Sequence, residues 1–96
     1  MTNNLDIDSM SSVQTLVSSA QKIAKVSVGV KAKGVINSDT QFRIVYAEVI
    51  SLMQLCDYLQ AKPSNANKRK YEKTQKQLSK LSAEVLNYEK FRMVHK

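Results

Sequence analysis

Tryptophan is absent from this chain, and four other residue types are scarce: two Gly, one Pro, one Cys and one His in 96 residues. So few turn formers exclude an all-β domain built from short strands and tight hairpins. A single cysteine, Cys56, excludes an intrachain disulfide and fits a reducing, cytoplasmic setting. A single histidine, His95, second from the end, leaves no His-based dyad or metal cluster to assemble. Gly29 and Gly34 stand apart, so there is no glycine-rich loop to cradle a phosphate. No two carboxylates are spaced as a catalytic pair. Long apolar runs are also missing: the most apolar segment, 42–59, is interrupted by Arg43, Glu48, Gln54 and Asp57, which is not a membrane span. Asp6 and Asp8 stand where a secretory signal would carry cations, so none is expected. These absences together point away from an enzyme, a cofactor or metal protein, and a membrane protein.

What is present is helical periodicity. Residues 1–9 are polar and read as a flexible N-terminus, and 10–96 as a single helical domain. From Met10, the residues Val13, Leu16, Val17, Ala20, Ile23 and Ala24 recur at three- and four-residue spacing, with Ser9 placed to cap. That helix is expected to fade near 27–29, with 26–30 able to run extended and 31–34 serving as a connector. Ser38-Asp39-Thr40-Gln41 has the form of a capping box: Ser38 accepts from the amide three residues on, and Gln41 reaches back. Asp39 suits the positive end of the helix dipole. Phe42, Val45, Val49, Leu52, Cys56 and Leu59 then form a seam widened by Tyr46, Ile50 and Met53, broad enough for two neighbours. Cys56 on this seam reads as a small buried hydrophobe, and Glu48 and Asp57 as surface acids able to pair with lysines of the next helix.

Pro63 ends the second helix at about Ala61, because the residue before proline disfavours helical angles. Ser64 can cap a third helix, whose seam runs through Tyr71, Thr74, Leu78, Leu81, Val85 and Tyr88, with Phe91 and Met93 beyond. The expected fold is all-α: a three-helix domain in which the second and third helices form a long antiparallel hairpin. Heptad-like seams also admit a homo-oligomer.

Charge is concentrated in one place. Residues 62–80 hold seven of the fifteen cations and one acid, Glu72, and carry +6 of the chain's net +7. At 100° per residue, Arg69, Lys73, Lys76 and Lys80 fall within roughly 60° of one another, opposite the Leu78, Leu81 and Val85 side. Lys68 and Lys70 flank this ridge and Lys62 adds charge from the turn. Cations in the first turns of a helix oppose its dipole at a cost of roughly a few tenths of a kcal/mol each. Surfaces selected only for solubility mix both signs. The footprint is that of a polyanion binder, with RNA or single-stranded DNA favoured. A lysine-rich outer face also arises from plain solvation. An acidic protein partner, docked by a small phage-type or regulatory factor, is the competing class. Tyr71 lies on the apolar seam, which favours packing over stacking on a base. Arg43, in the first turn of the second helix, could join Lys31 and Lys33 in a smaller cationic site.

Two short motifs carry a resemblance. Thr40-Gln41-Phe42-Arg43 opens a helix after the Gly34-Val35 connector, and Leu78 and Leu81 lead into Tyr88-Glu89-Lys90-Phe91-Arg92. A helix opening of Ser/Thr-Gln-apolar-Arg followed by Tyr-Glu-x-x-Arg resembles the small helical subunit of type III CRISPR effector complexes, within residues 33–92 and with the segment between the two motifs unmatched. The resemblance implies a non-catalytic subunit that stacks along a ribonucleoprotein and contacts RNA or target backbone. Arg43 and Arg92 are the matched candidates for that contact.

Overall fold

The computed structural model describes residues 10–24 and 31–94, with side chains described for 13–24 and 31–92. Among the described residues the fold has three helices: α1 (Met10–Ala24), α2 (Asp39–Ala61) and α3 (Asn65–Val94). The expectations for 1–9, 26–30, the end of the first helix near 27–29, the Met93 side chain and His95 lie outside the described residues. Among the described residues there is no strand, and no helix is long and apolar enough to cross a membrane.

The helix boundaries follow from local chemistry. Ser38 is extended and its Oγ accepts from Gln41 N at 3.1 Å, while Phe42 N donates to Ser38 O at 2.9 Å. Gln41 does reach back, but its Oε1 accepts from Asn37 N at 2.9 Å, one residue before the cap. The capping box is therefore shifted by one residue and steers the entering chain as well as the helix. α2 ends at Ala61, two residues before Pro63. Ser64 Oγ then accepts from Asn67 N at 3.1 Å, and Asn67 Nδ2 donates to Lys62 O at 2.6 Å. The hairpin turn is thus held at both ends by short polar side chains.

α3 is the organising helix. It packs along α1 and along α2, whereas α1 and α2 touch each other little. The core is one cluster: Val13, Val17, Ala20 and Ala24 of α1; Phe42, Tyr46, Val49, Leu52 and Cys56 of α2; Leu78, Val85 and Tyr88 of α3. Ile36 joins it from the connector. Burying each such large apolar side chain contributes roughly 1.5–3 kcal/mol. The seams expected from periodicity face the core, with Leu16, Ile23, Val45, Ile50, Met53, Tyr71 and Leu81 at the half-buried margins.

The end of α1 is tied down by α3. Ile23 O accepts from Gln75 Nε2 at 2.8 Å and from the Tyr71 hydroxyl at 3.3 Å. Gln60 Nε2 of α2 donates to the same hydroxyl at 2.7 Å. Tyr71 therefore joins all three helices, and burial raises its pKa, with the Cys56 and Asp57 charges adding to that. Its role is in packing, as its place on the seam suggested.

Among the described residues one core polar group is left over. Thr74 and Ser79 return their hydroxyls to carbonyls of their own helix, at 2.7 and 2.9 Å, but Ser82 Oγ is buried and has no hydrogen-bond partner. Ser82→Ala removes that orphan and inserts a better helix former. It is expected to stabilise the protein by about 1 kcal/mol, a rise in Tm of roughly 4–8 °C for a domain of this size. A thermal melt showing a lower Tm would mean the hydroxyl is satisfied in solution.

Candidate functional site

The cations that dominate the sequence sit on the exposed side of the hairpin. Lys62, Lys68, Arg69, Lys70, Lys73, Lys76 and Lys80 are all exposed. Arg69, Lys73, Lys76 and Lys80 form a row along α3 whose Cα atoms span about 16 Å at 1.5 Å per residue. The opposite side of α3 carries the buried Thr74, Leu78 and Val85. Lys62, in the turn, lies over the Tyr58 ring, its Nζ 5.7 Å from the centroid.

The acids of α3 behave differently from its cations. The helix contains Glu72, Glu84 and Glu89, yet Glu84 is only 4% exposed and Glu89 only 2%. Glu72 alone of the three is exposed, one turn before Lys76. The outward surface of α3 is therefore more positive than its composition.

Glu84 is consumed by the connector. Its Oε1 accepts from Gly34 N at 2.9 Å and Val35 N at 3.2 Å, and its Oε2 accepts from Lys33 N. Three successive amides converge on one carboxylate, a concave arrangement that suits an anion. Gly34 makes this reachable: its φ of +75° lies in the left-handed region that L side chains rarely adopt. Glu84 follows Lys80 by one turn, in nearly the same direction around the helix. Turned outward, its carboxylate would interrupt the row. Turned into the connector, it brings the exposed Lys33 against α3 instead.

Glu89 belongs to a second polar joint. Arg92 Nη1 donates to Glu89 Oε1 at 3.1 Å, and Arg92 Nε lies 3.7 Å from Asp39 Oδ1. The guanidinium also stands over the Phe42 ring at 5.4 Å. Tyr88 Oη donates to the same Asp39 oxygen at 2.8 Å. This bond raises the Tyr88 pKa, and burial adds to the rise. Phe42 packs against Tyr88 at 5.3 Å and Tyr46 at 5.8 Å between ring centroids.

Thr40-Gln41-Phe42-Arg43 and Tyr88-Glu89-Lys90-Phe91-Arg92 thus meet through Phe42, Tyr88 and Arg92, with Asp39 beside them, in one joint between the start of α2 and the end of α3. Within it Arg92 is ion-paired and largely covered, while Arg43 is exposed in the first turn of α2. Asp39, expected at the helix N-terminus for its dipole, has this second task. Glu48, expected to pair with a lysine, is exposed and accepts from Gln77 Nε2 at 3.2 Å. Cys56 is wholly buried, and burial first, then the Asp57 carboxylate, raises its thiol pKa. Such a thiol is a poor nucleophile.

Sequence reasoning missed Glu84 and Glu89 as internal groups. The single hint was positional: an acid one turn beyond Lys80, in line with an otherwise cationic row. Comparison with known proteins matches this chain to no family model, no curated protein and no solved structure.

Proposed function

We propose that this chain is a non-catalytic nucleic-acid-binding protein that holds phosphate backbone on the outward face of α3, as a subunit of a larger assembly. The observation that carries this reading is the charge asymmetry of that surface: seven exposed cations within residues 62–80, against Glu72 as the exposed acid of α3. The burial of Glu84 and Glu89 sharpens the asymmetry, because two charges that would repel phosphate are held inside. Lysine ammonium groups are compact point charges on flexible stems, suited to phosphate and not to reading base edges. RNA or single-stranded DNA, with weak sequence preference, is the ligand class.

The assembly part rests on α2. Ile44, Leu55 and Tyr58 are exposed apolar residues on the side of α2 turned away from the core, and apolar area there favours a protein neighbour. A subunit that stacks along a ribonucleoprotein, as the resemblance to the small subunit of type III CRISPR effector complexes implies, needs such a second surface. The competing reading, an acidic protein docked on α3, uses the same cations.

Anisotropy titration of labelled single- and double-stranded oligonucleotides across a salt series tests the proposal. If about four cations engage a single strand, log K against log salt has a slope of roughly −3. A slope near zero, or no binding at low salt, overturns it and leaves the acidic protein partner.

A further inference from the structure

Beyond Lys80 the outward face of α3 changes character. Asn87 and Phe91 point within roughly 40° of the direction of Arg69, at 100° per residue, so they continue the same strip of surface. Both are exposed, Phe91 by 50%. Lys80 and Phe91 lie about 16 Å apart along the axis. Glu84, the acid in between, is turned into the connector.

At this end of the strip the connector and α3 enclose a cleft of about 520 Å³. Its walls include Ile36 and Asn37 from the connector and Asn87, Lys90 and Phe91 from α3. The volume falls within the roughly 300–1,000 Å³ of small-ligand sites. The cleft offers three things at once: an aromatic ring, two side-chain amides and a cation. The ring is also backed by a firm support. Phe91 stacks on Tyr88 with centroids 6.1 Å apart and planes 27° from parallel. Tyr88 is itself buried and hydrogen-bonded to Asp39. The opposite wall is held by the three amide bonds to Glu84.

We propose that this cleft binds an unstacked nucleobase of a single strand whose phosphates lie on the α3 cations. This deepens the proposed function and rests on it. A base presents a flat π face and polar edges, which an exposed aromatic ring and asparagine amides complement. A duplex keeps its base faces stacked and cannot offer one. The ligand is therefore single-stranded, and the bound base sits at the Phe91 end.

The test compares two probes of equal length, a single-stranded oligonucleotide and its abasic counterpart, titrated with the wild type, Phe91→Leu and Asn87→Ala. Both substituted residues are exposed, and circular dichroism checks that each variant keeps its helical content. The wild type is expected to bind the base-bearing strand about five- to 150-fold more tightly than the abasic one, from the usual worth of one base–aromatic stack. Phe91→Leu should remove most of that ratio, Asn87→Ala part of it, and neither should change abasic affinity or salt slope. If the wild type binds both probes alike and Phe91→Leu alters neither, the base site is refuted while backbone binding stands. If neither probe binds with a salt-dependent affinity, the reading beneath it fails as well.

Discussion

Glu84→Ala is expected to lower the unfolding free energy by about 3 kcal/mol, with Glu84→Gln losing about half as much. Hydrogen bonds to a charged group are each worth roughly 1.5–3 kcal/mol in substitution series. Three amides, those of Lys33, Gly34 and Val35, end on this one carboxylate. Two effects reduce their sum. The residues carrying the amides are exposed, so water can replace the carboxylate, and the cost of burying the charge disappears with it. Glutamine keeps the shape but can accept on one oxygen only, and it places an NH2 group against a backbone donor. Urea unfolding followed by circular dichroism measures both changes, with Lys33→Ala as control because Lys33 contributes its backbone amide to the contact. Losses within about 0.5 kcal/mol of zero for Glu84→Ala, the range of ordinary surface changes, would show that the connector does not depend on Glu84.

Lys73, Lys76 and Lys80 replaced together by glutamate should weaken single-strand binding by at least about a hundredfold near 0.1 M salt. Each phosphate contact on a single strand contributes about −0.7 to the salt slope, so losing three takes about 2 from its magnitude. At that salt the same three terms amount to roughly two orders of magnitude in affinity, before any repulsion from the new acids. Glutamate is a good helix former and all three positions are exposed, so helical content should hold. Neutral glutamine at the same sites should give an intermediate loss, which separates removal of contacts from added repulsion. Unchanged affinity in the charge-reversed protein, with the same helical signal, would remove α3 from the binding account.

The two experiments bear on one structural coupling. The Glu84 clamp fixes the connector, and the connector forms one wall of the cleft at the end of the cation row. Glu84→Ala should therefore loosen the cleft while leaving the row itself in place. The charge reversal does the opposite.

Most of the fold was legible in the sequence because its signals are local. Ser38, Pro63 and Ser64 mark helix ends through contacts within five residues. Spacings of three and four placed Phe42, Val49, Cys56, Leu78 and Val85 on buried faces, where they are found. The candidate site was legible only in part. The same 100° rotation that identifies the seam of α3 puts Arg69, Lys73, Lys76 and Lys80 outward, and they are exposed. The capping box was recognised, but its return bond falls on Asn37 because the chain approaches α2 from the connector's side.

The amino-acid sequence by itself determined the three described helices, the start and end of α2, the start of α3, the buried stripe of each helix and the crowding of positive charge on α3. All of these follow from the helical period and from capping and proline chemistry acting over a few residues. Only the tertiary structure decided which charges remain outside. Glu84 meets its amide partners some fifty residues back along the chain, and Arg92 meets Asp39 across a comparable separation. Such pairings depend on how α3 lies against the connector and the start of α2, which no local spacing encodes. The same packing turned Arg92 inward to an ion pair, brought the start of α2 and the end of α3 together around Phe42, and opened the cleft beside Phe91.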